Sequence, residues 1–321
     1  MVVLVFGNFI IKTCKILEVQ ALPFLFTLGM CANIGSVLMP FGSAKNLIIA
    51  VEYGLDTLWF LQRMAPIFVI LVASTLLWID YKYLRPIYTD KEVTSRKIAL
   101  LLQYLRPADV IKNKETFQKN VIALGILLVF LFLSPEPYIV SLFGALVFLI
   151  LNKQNLNSRM KKLEWKLPLY LVALYLTIGA LELTGGISII TTGISFLMDW
   201  LQGSDLLFFL LIVLIIGNFG AGILSPTTTT LIVLALLREW LIMFPFLGDS
   251  IDIILVALLL AVNLGSNFLP QSSSSNIGIL ELASINNISE VNYKSLMKVG
   301  IVCVLIHLLI SLLYILILLI L

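Results

Sequence analysis

The chain has 321 residues, of which 60% are hydrophobic and 12% are charged, and its formal net charge at pH 7 is +3. About a quarter of the residues in a soluble domain are charged, so this composition excludes an ordinary soluble protein. It predicts an all-α, polytopic protein whose partner is the lipid bilayer. The small positive charge lies mostly in short loops and does not indicate a nucleic-acid partner.

The first part of the chain contains one long apolar crossing that is interrupted by small and polar residues. Residues 2–11 predict a short, incomplete apolar segment. Residues 21–61 predict a membrane helix broken at 33–46, and residues 65–79 predict a crossing back, because about 20 helical residues span a bilayer core. The next segment, 80–119, is basic and predicts a loop in water.

The rest of the chain predicts further crossings that alternate in direction. Residues 120–134 and 137–151 predict a helical hairpin that turns at a Ser-Pro-Glu-Pro sequence, and a second basic loop, 152–166, follows. The later predicted elements, in chain order, are a crossing at 167–182, an interfacial stretch at 187–203, a re-entrant hairpin at 205–243 with arms at 205–217 and 229–243, a second broken helix at 251–283, and a final crossing at 299–321.

The basic loops predict the orientation of the chain. Fourteen of the 21 Lys and Arg residues lie in the loops 80–119 and 152–166. An even number of predicted crossings separates these loops, so both lie on the same side, and an excess of Lys and Arg marks the cytoplasmic side. We therefore expect a multi-pass protein of the cell (plasma) membrane with both loops in the cytoplasm.

The two broken helices are related in sequence. Six of the fourteen residues of segment 33–46 match segment 263–276 without a gap. The predicted crossings give the two segments opposite directions, and such a pair is typical of the inverted-topology repeats of secondary transporters. The matched positions are Asn33/Asn263, Gly35/Gly265, Ser36/Ser266, Pro40/Pro270, Ser43/Ser273 and Asn46/Asn276.

The repeat divides the chain into three parts. Residues 1–79 correspond to the C-terminal part of the first repeat, residues 80–119 to the basic loop, and residues 120–321 to the second repeat. The stretch 120–230 has no counterpart in the first half. We therefore expect the N-terminal part of the first repeat to be missing, because of either a truncated gene model or a natural form without its opening spans.

The breaks are candidate binding segments. Non-helical backbone is tolerated at membrane depth only where it is buried in protein or lines a cavity. Glycine permits unusual backbone angles, and proline removes an amide. The alternative is a kinked helix whose Ser and Asn side chains join neighbouring helices. The predicted binding residues are Asn33, Gly35, Ser36, Ser43, Lys45 and Asn46 in the first break, and Asn263, Gly265, Ser266, Ser272, Ser273 and Asn276 in the second.

The predicted hairpin has a polar tip that forms a third candidate element. Its residues Ser225, Thr227 and Thr228 would lie beside the second break if the tip reaches mid-membrane. An exterior loop is the alternative, and four consecutive threonines would suit one.

Several ionisable residues are candidates because charge at membrane depth is costly unless it is paired or solvated. Lys45 would neutralise an anionic substrate or take the place of a coupling cation, or it would extend along the helix towards water. Glu52, Glu182 and Glu281 are candidate proton carriers, with an interfacial position as the alternative. The lone His307 is either a functional residue or a neutral contact to a neighbouring helix.

With these motifs the chain resembles the ion transporter superfamily, which includes arsenite permeases, NhaD-type Na⁺/H⁺ antiporters, and citrate and divalent-anion transporters. The resemblance implies a scaffold and a mobile transport domain, often in a homodimer, that work by alternating access. It also implies that Asn33, Ser36, Asn263 and Ser266 bind substrate or ion, with Na⁺ as one candidate at these four residues. The chain departs from the motif where Met39 and Leu269 replace the usual Thr before proline.

The function predicted from the sequence is secondary active transport of a small inorganic or carboxylate anion, coupled to an ion gradient. A Na⁺/H⁺ antiporter and a truncated remnant without transport activity are the alternatives. An intramembrane enzyme is disfavoured, because the chain lacks HExxH, DDxxD and a membrane Ser/His pair. No bound cofactor is expected apart from Na⁺ or H⁺ as the coupling ion, and the sequence leaves the substrate open.

Overall fold

A computed structural model describes residues 2–85, 113–134, 136–152, 165–200 and 206–320. The described chain consists of helices joined by short turns. The α-helices, in chain order, are α1 (Val2–Leu17), α2 (Leu22–Gly35), α3 (Ala44–Tyr53), α4 (Thr57–Ile79), α5 (Lys114–Leu133), α6 (Pro137–Leu151), α7 (Lys166–Leu183), α8 (Gly186–Trp200), α9 (Leu206–Ile223), α10 (Pro226–Met243), α11 (Ile251–Gly265), α12 (Ser274–Ile285) and α13 (Tyr293–Ile320).

The helices confirm a polytopic, all-α membrane protein. Six described helices are long and apolar enough to cross a bilayer, and α7 and α8 form a further pair that is bent by 67°. The predicted hairpin of residues 120–151 is present as α5 and α6. Most of each predicted basic loop lies outside the described residues, because residues 86–112 of the first loop and 153–164 of the second are not among them.

The first broken helix is shorter than the sequence predicted. It ends at Tyr53 and not at residue 61, because Gly54 adopts the left-handed conformation with φ of +65°. The side chain of Asp56 then accepts a hydrogen bond from the Trp59 amide and caps α4. The return crossing therefore begins at Thr57, eight residues earlier than the predicted start at residue 65.

The two arms of the predicted hairpin are present as α9 and α10, but they are longer than expected. Both are among the six helices long enough to cross a bilayer, so the re-entrant position of the tip stays a prediction. Helix α9 continues through Gly217 to Ile223, and α10 begins at Pro226, so only two residues form the turn. Each arm has 18 residues and is about 27 Å long. The helix continues because the glycines of its last turns allow close packing, with Gly217 against Ala261 and Gly222 against Phe268.

The two broken helices pack side by side in opposite directions. Gly29 of α2 lies against Asn276 and Ile279 of α12. Asn46 of α3 accepts a hydrogen bond of 2.7 Å from Asn263 of α11. The first half of each broken helix thus contacts the second half of the other.

The helix ends define two faces of the protein. At one face the ends of α1 and α12 meet, where the Lys15 Nζ lies 3.5 Å from the Asn286 carbonyl oxygen, and Tyr83 at the end of α4 contacts Phe26 near the start of α2. We call this the basic face, because its described ends carry Lys12, Lys15, Lys82, Arg85, Lys166, Lys294 and Lys298. At the opposite face the ends of α3, α7 and α10 lie near the starts of α4 and α11.

Burial separates an inner group of helices from peripheral ones. Nearly every residue of α11 is fully buried, and α9, α10, α13 and the broken helices pack around it. The peripheral helices α5 and α6 expose most of their apolar side chains, which suits contact with lipid. The α7–α8 pair packs against α10.

Candidate functional site

The two breaks follow the same backbone path. In the first, Met39 and Ser43 are extended, and Pro40–Gly42 forms a single 3-10 turn between them. In the second, Leu269 and Ser273 are extended, and Pro270–Ser272 forms the equivalent turn. The sequence match therefore reflects a shared structure, in which each proline begins a short turn and each serine precedes the next helix.

The expectation of unusual backbone angles at Gly35 and Gly265 is wrong. Gly35 is helical, with φ of −60° and ψ of −29°, and Gly265 ends α11 in helical conformation. Gly265 is needed for another reason: a Cβ there would overlap with the backbone of Asn218 on α9. Gly35 has no atom within 4 Å of the same position, so the two glycines differ in their surroundings.

A cavity of about 740 Å³ lies where the breaks and the hairpin tip meet. It extends to Tyr170, one turn from the start of α7, and to Glu281, one turn from the end of α12. Both ends belong to the basic face, so the cavity opens towards that face. The predicted residues that line it are Asn33, Ser36, Ser43, Lys45, Ser225, Thr227, Ser266, Ser272 and Ser273.

The helices α3, α10 and α12 each begin at this cavity, which Val3 at the start of α1 also lines. Ser43 caps α3 by accepting a hydrogen bond of 3.3 Å from the Asn46 amide, and Ser225 caps α10 by accepting one of 3.1 Å from the Thr228 amide. The first residues of α12, Ser274 and Ser275, also line the cavity. Because helix N-termini carry partial positive charge and free amide groups, the three together favour a bound anion.

Lys45 adds a full positive charge to the same cavity. Its side chain lines the cavity and is only 7% exposed. Among the described residues it has no carboxylate within ion-pair distance and no hydrogen-bond partner. A buried ammonium without a partner is unfavourable, and an anion in the cavity would supply the missing charge.

The other predicted residues do not line the cavity, and two of them, Asn46 and Asn263, form hydrogen bonds inside the protein. Asn263 is fully buried; its amide donates to the Asn46 side chain and to the Leu259 carbonyl, and its oxygen accepts from Ser36 at 2.8 Å. The side-chain amide of Asn46 in turn donates to the Ser36 carbonyl oxygen at 2.6 Å. These bonds hold the two breaks together. The predicted residues outside the lining are Gly35, Asn46, Thr228, Asn263, Gly265 and Asn276.

The four residues proposed for Na⁺ already use much of their hydrogen-bonding capacity on one another. The Ser36 and Ser266 hydroxyls donate to the carbonyls of Asn33 and Asn263, three residues earlier in each case. The Asn33 side-chain oxygen accepts from Ser275 at 3.0 Å. Sodium at these oxygens would have to displace such bonds, and its binding there stays a prediction.

The sequence reasoning missed four polar residues of this site, which are Tyr170, Asn267, Ser274 and Ser275. Asn267 accepts a hydrogen bond of 2.6 Å from the Asn33 amide, and Ser275 also contacts Asn33. Both lie within the second break, so the polar character of that break could have indicated them. Tyr170 of α7 lines the cavity and lies 3.3 Å from the Thr228 hydroxyl. No sequence motif indicated Tyr170, because it lies on α7, outside both breaks and the hairpin.

The candidate proton carriers differ in position. Glu281 lines the cavity, whereas Glu52 and Glu182 both pair with Arg238 at the opposite face. The His307 Nε2 lies 2.8 Å from the Thr75 hydroxyl, which also donates to the Leu71 carbonyl. His307 therefore joins α13 to α4.

Comparison with known families identifies the group to which this arrangement belongs. The family described as citrate transporter matches residues 1–242. The chain belongs to the citrate transporter family. The matched residues include the whole first break and the hairpin tip, whereas the second break lies beyond them. The resemblance drawn from the break motifs is thus confirmed at the level of the family.

Several mycobacterial proteins are similar to this chain. A "46 kDa membrane protein" of Mycobacterium leprae is 23% identical over 285 residues, which cover 88% of this chain and 64% of that protein. An "Uncharacterized transporter" of Mycobacterium tuberculosis is 26% identical over 221 residues, 60% of this chain and 48% of that protein. One of Mycobacterium bovis is 22% identical over 291 residues, with coverages of 88% and 64%. The chain spans less than two thirds of the length of each.

Replacing Asn263 with alanine is expected to lower stability, although Asn263 does not line the cavity. The change removes the bonds to Asn46 and Ser36 and leaves the Asn46 side-chain oxygen buried without its partner, at a cost of about 1–3 kcal/mol. The thermal midpoint of the purified protein in detergent measures the effect. Ser272→Ala, at the cavity lining, is the control and should lower the midpoint less. Equal midpoints for Asn263→Ala and the unchanged protein would contradict the joining role.

Proposed function

We propose that this protein is a secondary active transporter of a small anion, with carboxylates as the favoured class. The observation that carries the proposal is the position of Lys45, which is buried and has no partner in the described part of the chain, at a cavity where α3, α10 and α12 begin. Each of these features favours negative charge. Membership of the citrate transporter family supports a carboxylate substrate.

The position of the cavity supports alternating access. It opens at the basic face, and on its other side Asn46 and Asn263 are fully buried with the apolar core beyond them. An excess of Lys and Arg marks the cytoplasmic side of a membrane protein. We therefore propose that the basic face is cytoplasmic and that the structure represents the state open to the cytoplasm.

A coupling ion is proposed to bind at the same cavity. Glu281 is the carboxylate that lines it among the described residues, so a proton would bind there. The alternative, Na⁺/H⁺ antiport without an anion, would place a cation beside the buried Lys45 ammonium. Coulomb repulsion in a site of low polarity disfavours that arrangement.

A thermal-shift screen of the full chain in detergent tests the anion proposal. Citrate, sulfate, arsenite and sodium chloride are added separately, with choline chloride at matched ionic strength as the control. A ligand that binds the folded form raises its thermal midpoint, by about 2.7 kcal/mol of stability at a hundred times its Kd. A rise with citrate or another anion supports the proposal. A rise with sodium and with no anion would support the antiporter, and no rise at all would contradict both.

A further inference from the structure

Arg238 at the opposite face links three helices through two ion pairs. Its Nε donates to Glu52 Oε1 at 2.8 Å, and its Nη1 donates to Glu182 Oε1 at 2.9 Å. Glu52 belongs to α3 and Glu182 to α7, whereas Arg238 lies on α10, the second arm of the hairpin. One guanidinium therefore joins the hairpin to a broken helix and to the α7–α8 pair.

The two carboxylates differ in the part of the protein to which they belong. Helices α3 and α10 both begin at the cavity, so Glu52 and Arg238 lie on the two elements that carry Lys45 and the hairpin tip. Helix α7 belongs to the bent pair at the edge of the inner group. The Arg238–Glu182 pair thus crosses between the helices that begin at the cavity and the α7–α8 pair, and the Arg238–Glu52 pair does not.

Other polar contacts follow the same boundary. Tyr170 of α7 contacts Thr228 at the hairpin tip, and the Thr191 hydroxyl of α8 donates to Glu239 at 2.9 Å. The boundary also carries apolar packing, since Ile178 of α7 and Ile187 and Ile194 of α8 are buried in the same core as α10. The polar contacts are the part of the boundary that can exchange partners with water or with one another during relative movement. Tightly interlocked apolar packing is less suited to it.

We propose that the Arg238–Glu182 ion pair is the positioning contact that keeps the cavity closed to the opposite face. The proposal rests on the proposed transport function. Opening towards that face requires the hairpin and α3 to move relative to α7, which breaks this pair. Glu52 moves with Arg238 and continues to neutralise it, so the guanidinium is not left unpaired when Glu182 is released.

The strength expected of this pair suits a reversible contact. The side chains of Arg238 and Glu182 are 53% and 34% exposed, and ion pairs with such exposure contribute little. Loss of the pair should therefore change the populations of the two states by roughly threefold, and should not unfold the protein. High salt should have the same effect, because it screens exposed charges.

A cysteine-accessibility experiment measures which face the cavity reaches. Ser274, which lines the cavity, is replaced by cysteine in a chain whose native Cys14, Cys31 and Cys303 are replaced by alanine. A membrane-impermeant methanethiosulfonate reagent is added to sealed vesicles of each orientation. In the Ser274→Cys chain with the ion pair intact, the thiol should react rapidly with reagent added at the basic face and slowly with reagent added at the opposite face. Glu182→Gln should raise the slow rate by roughly threefold, and 1 M salt should do so without the substitution.

Arg63→Gln is the matched control. Arg63 pairs with Asp252 at the same face, but that pair joins α4 to α11 and does not reach α7, so its loss should leave the slow rate unchanged. Glu182→Asp, which keeps the charge, should restore most of the closure. Equal slow rates in Glu182→Gln and the parent, or equal rates from both faces in the parent, would overturn the proposal. The assay needs no substrate, so absence of anion binding would contradict the transport function without changing this result.

Discussion

Replacing Lys45 with methionine is expected to weaken anion binding by about ten- to a hundredfold. Methionine keeps much of the length and the apolar stem of lysine but removes its charge. A hydrogen bond to a charged group contributes about 1.5–3 kcal/mol, and each 1.4 kcal/mol is a factor of ten in affinity. Isothermal titration of the purified protein with citrate, or with whichever anion gives the thermal shift, measures the change.

The same substitution should raise the stability of the protein without ligand. Lys45 is buried and has no partner among the described residues, so its removal relieves the cost of an uncompensated charge. A higher midpoint without anion, together with a lost anion response, distinguishes a binding charge from a merely structural one. Lys45→Arg should retain anion binding, and Lys298→Met at the basic face should change neither quantity. A lower midpoint with unchanged affinity in Lys45→Met would contradict the role of Lys45.

Replacing Gly265 with alanine is expected to destabilise the protein by about 3 kcal/mol or more. The added Cβ would overlap with the main chain of Asn218, and a backbone cannot move aside by a change of rotamer. Helix α9 would have to shift away from α11, and the hairpin tip would move with it. The thermal midpoint in detergent measures the loss of stability, and titration with the anion measures the loss of the site.

Gly35→Ala is the control for this substitution, because Gly35 and Gly265 are matched positions of the two breaks and each lies at the end of its helix in helical conformation. No atom lies within 4 Å of the added Cβ at Gly35, and alanine favours helix over glycine by up to about 1 kcal/mol. Gly35→Ala should therefore leave the midpoint unchanged or raise it slightly. If both substitutions lower the midpoint equally, packing between α9 and α11 is not the reason for Gly265.

The sequence predicted the elements that depend on local backbone chemistry. The prolines Pro40 and Pro270 cannot continue a helix, and both breaks occur where they were predicted. The limits of the first broken helix were less accurate. A continuous apolar run hid the left-handed turn at Gly54, and Asp56 as a helix cap was not recognised. Similarly, the glycine-rich end of α9 was interpreted as part of a loop, whereas packing against α11 keeps it helical.

The sequence by itself determined the membrane-spanning helical class, the two related breaks, and most of the polar residues at the cavity. These follow from composition, from periodic apolar runs and from residues such as proline that restrict the conformation of their own backbone. Only the tertiary structure decided which of those residues line the cavity and which, like Asn263, join the two breaks. It also decided that Lys45, at the start of α3, has no partner among the residues that the structure describes. Such facts depend on side chains from segments that are far apart in the sequence, such as Asn46 and Asn263, which are 217 residues apart. No local sequence pattern predicts contacts of that kind.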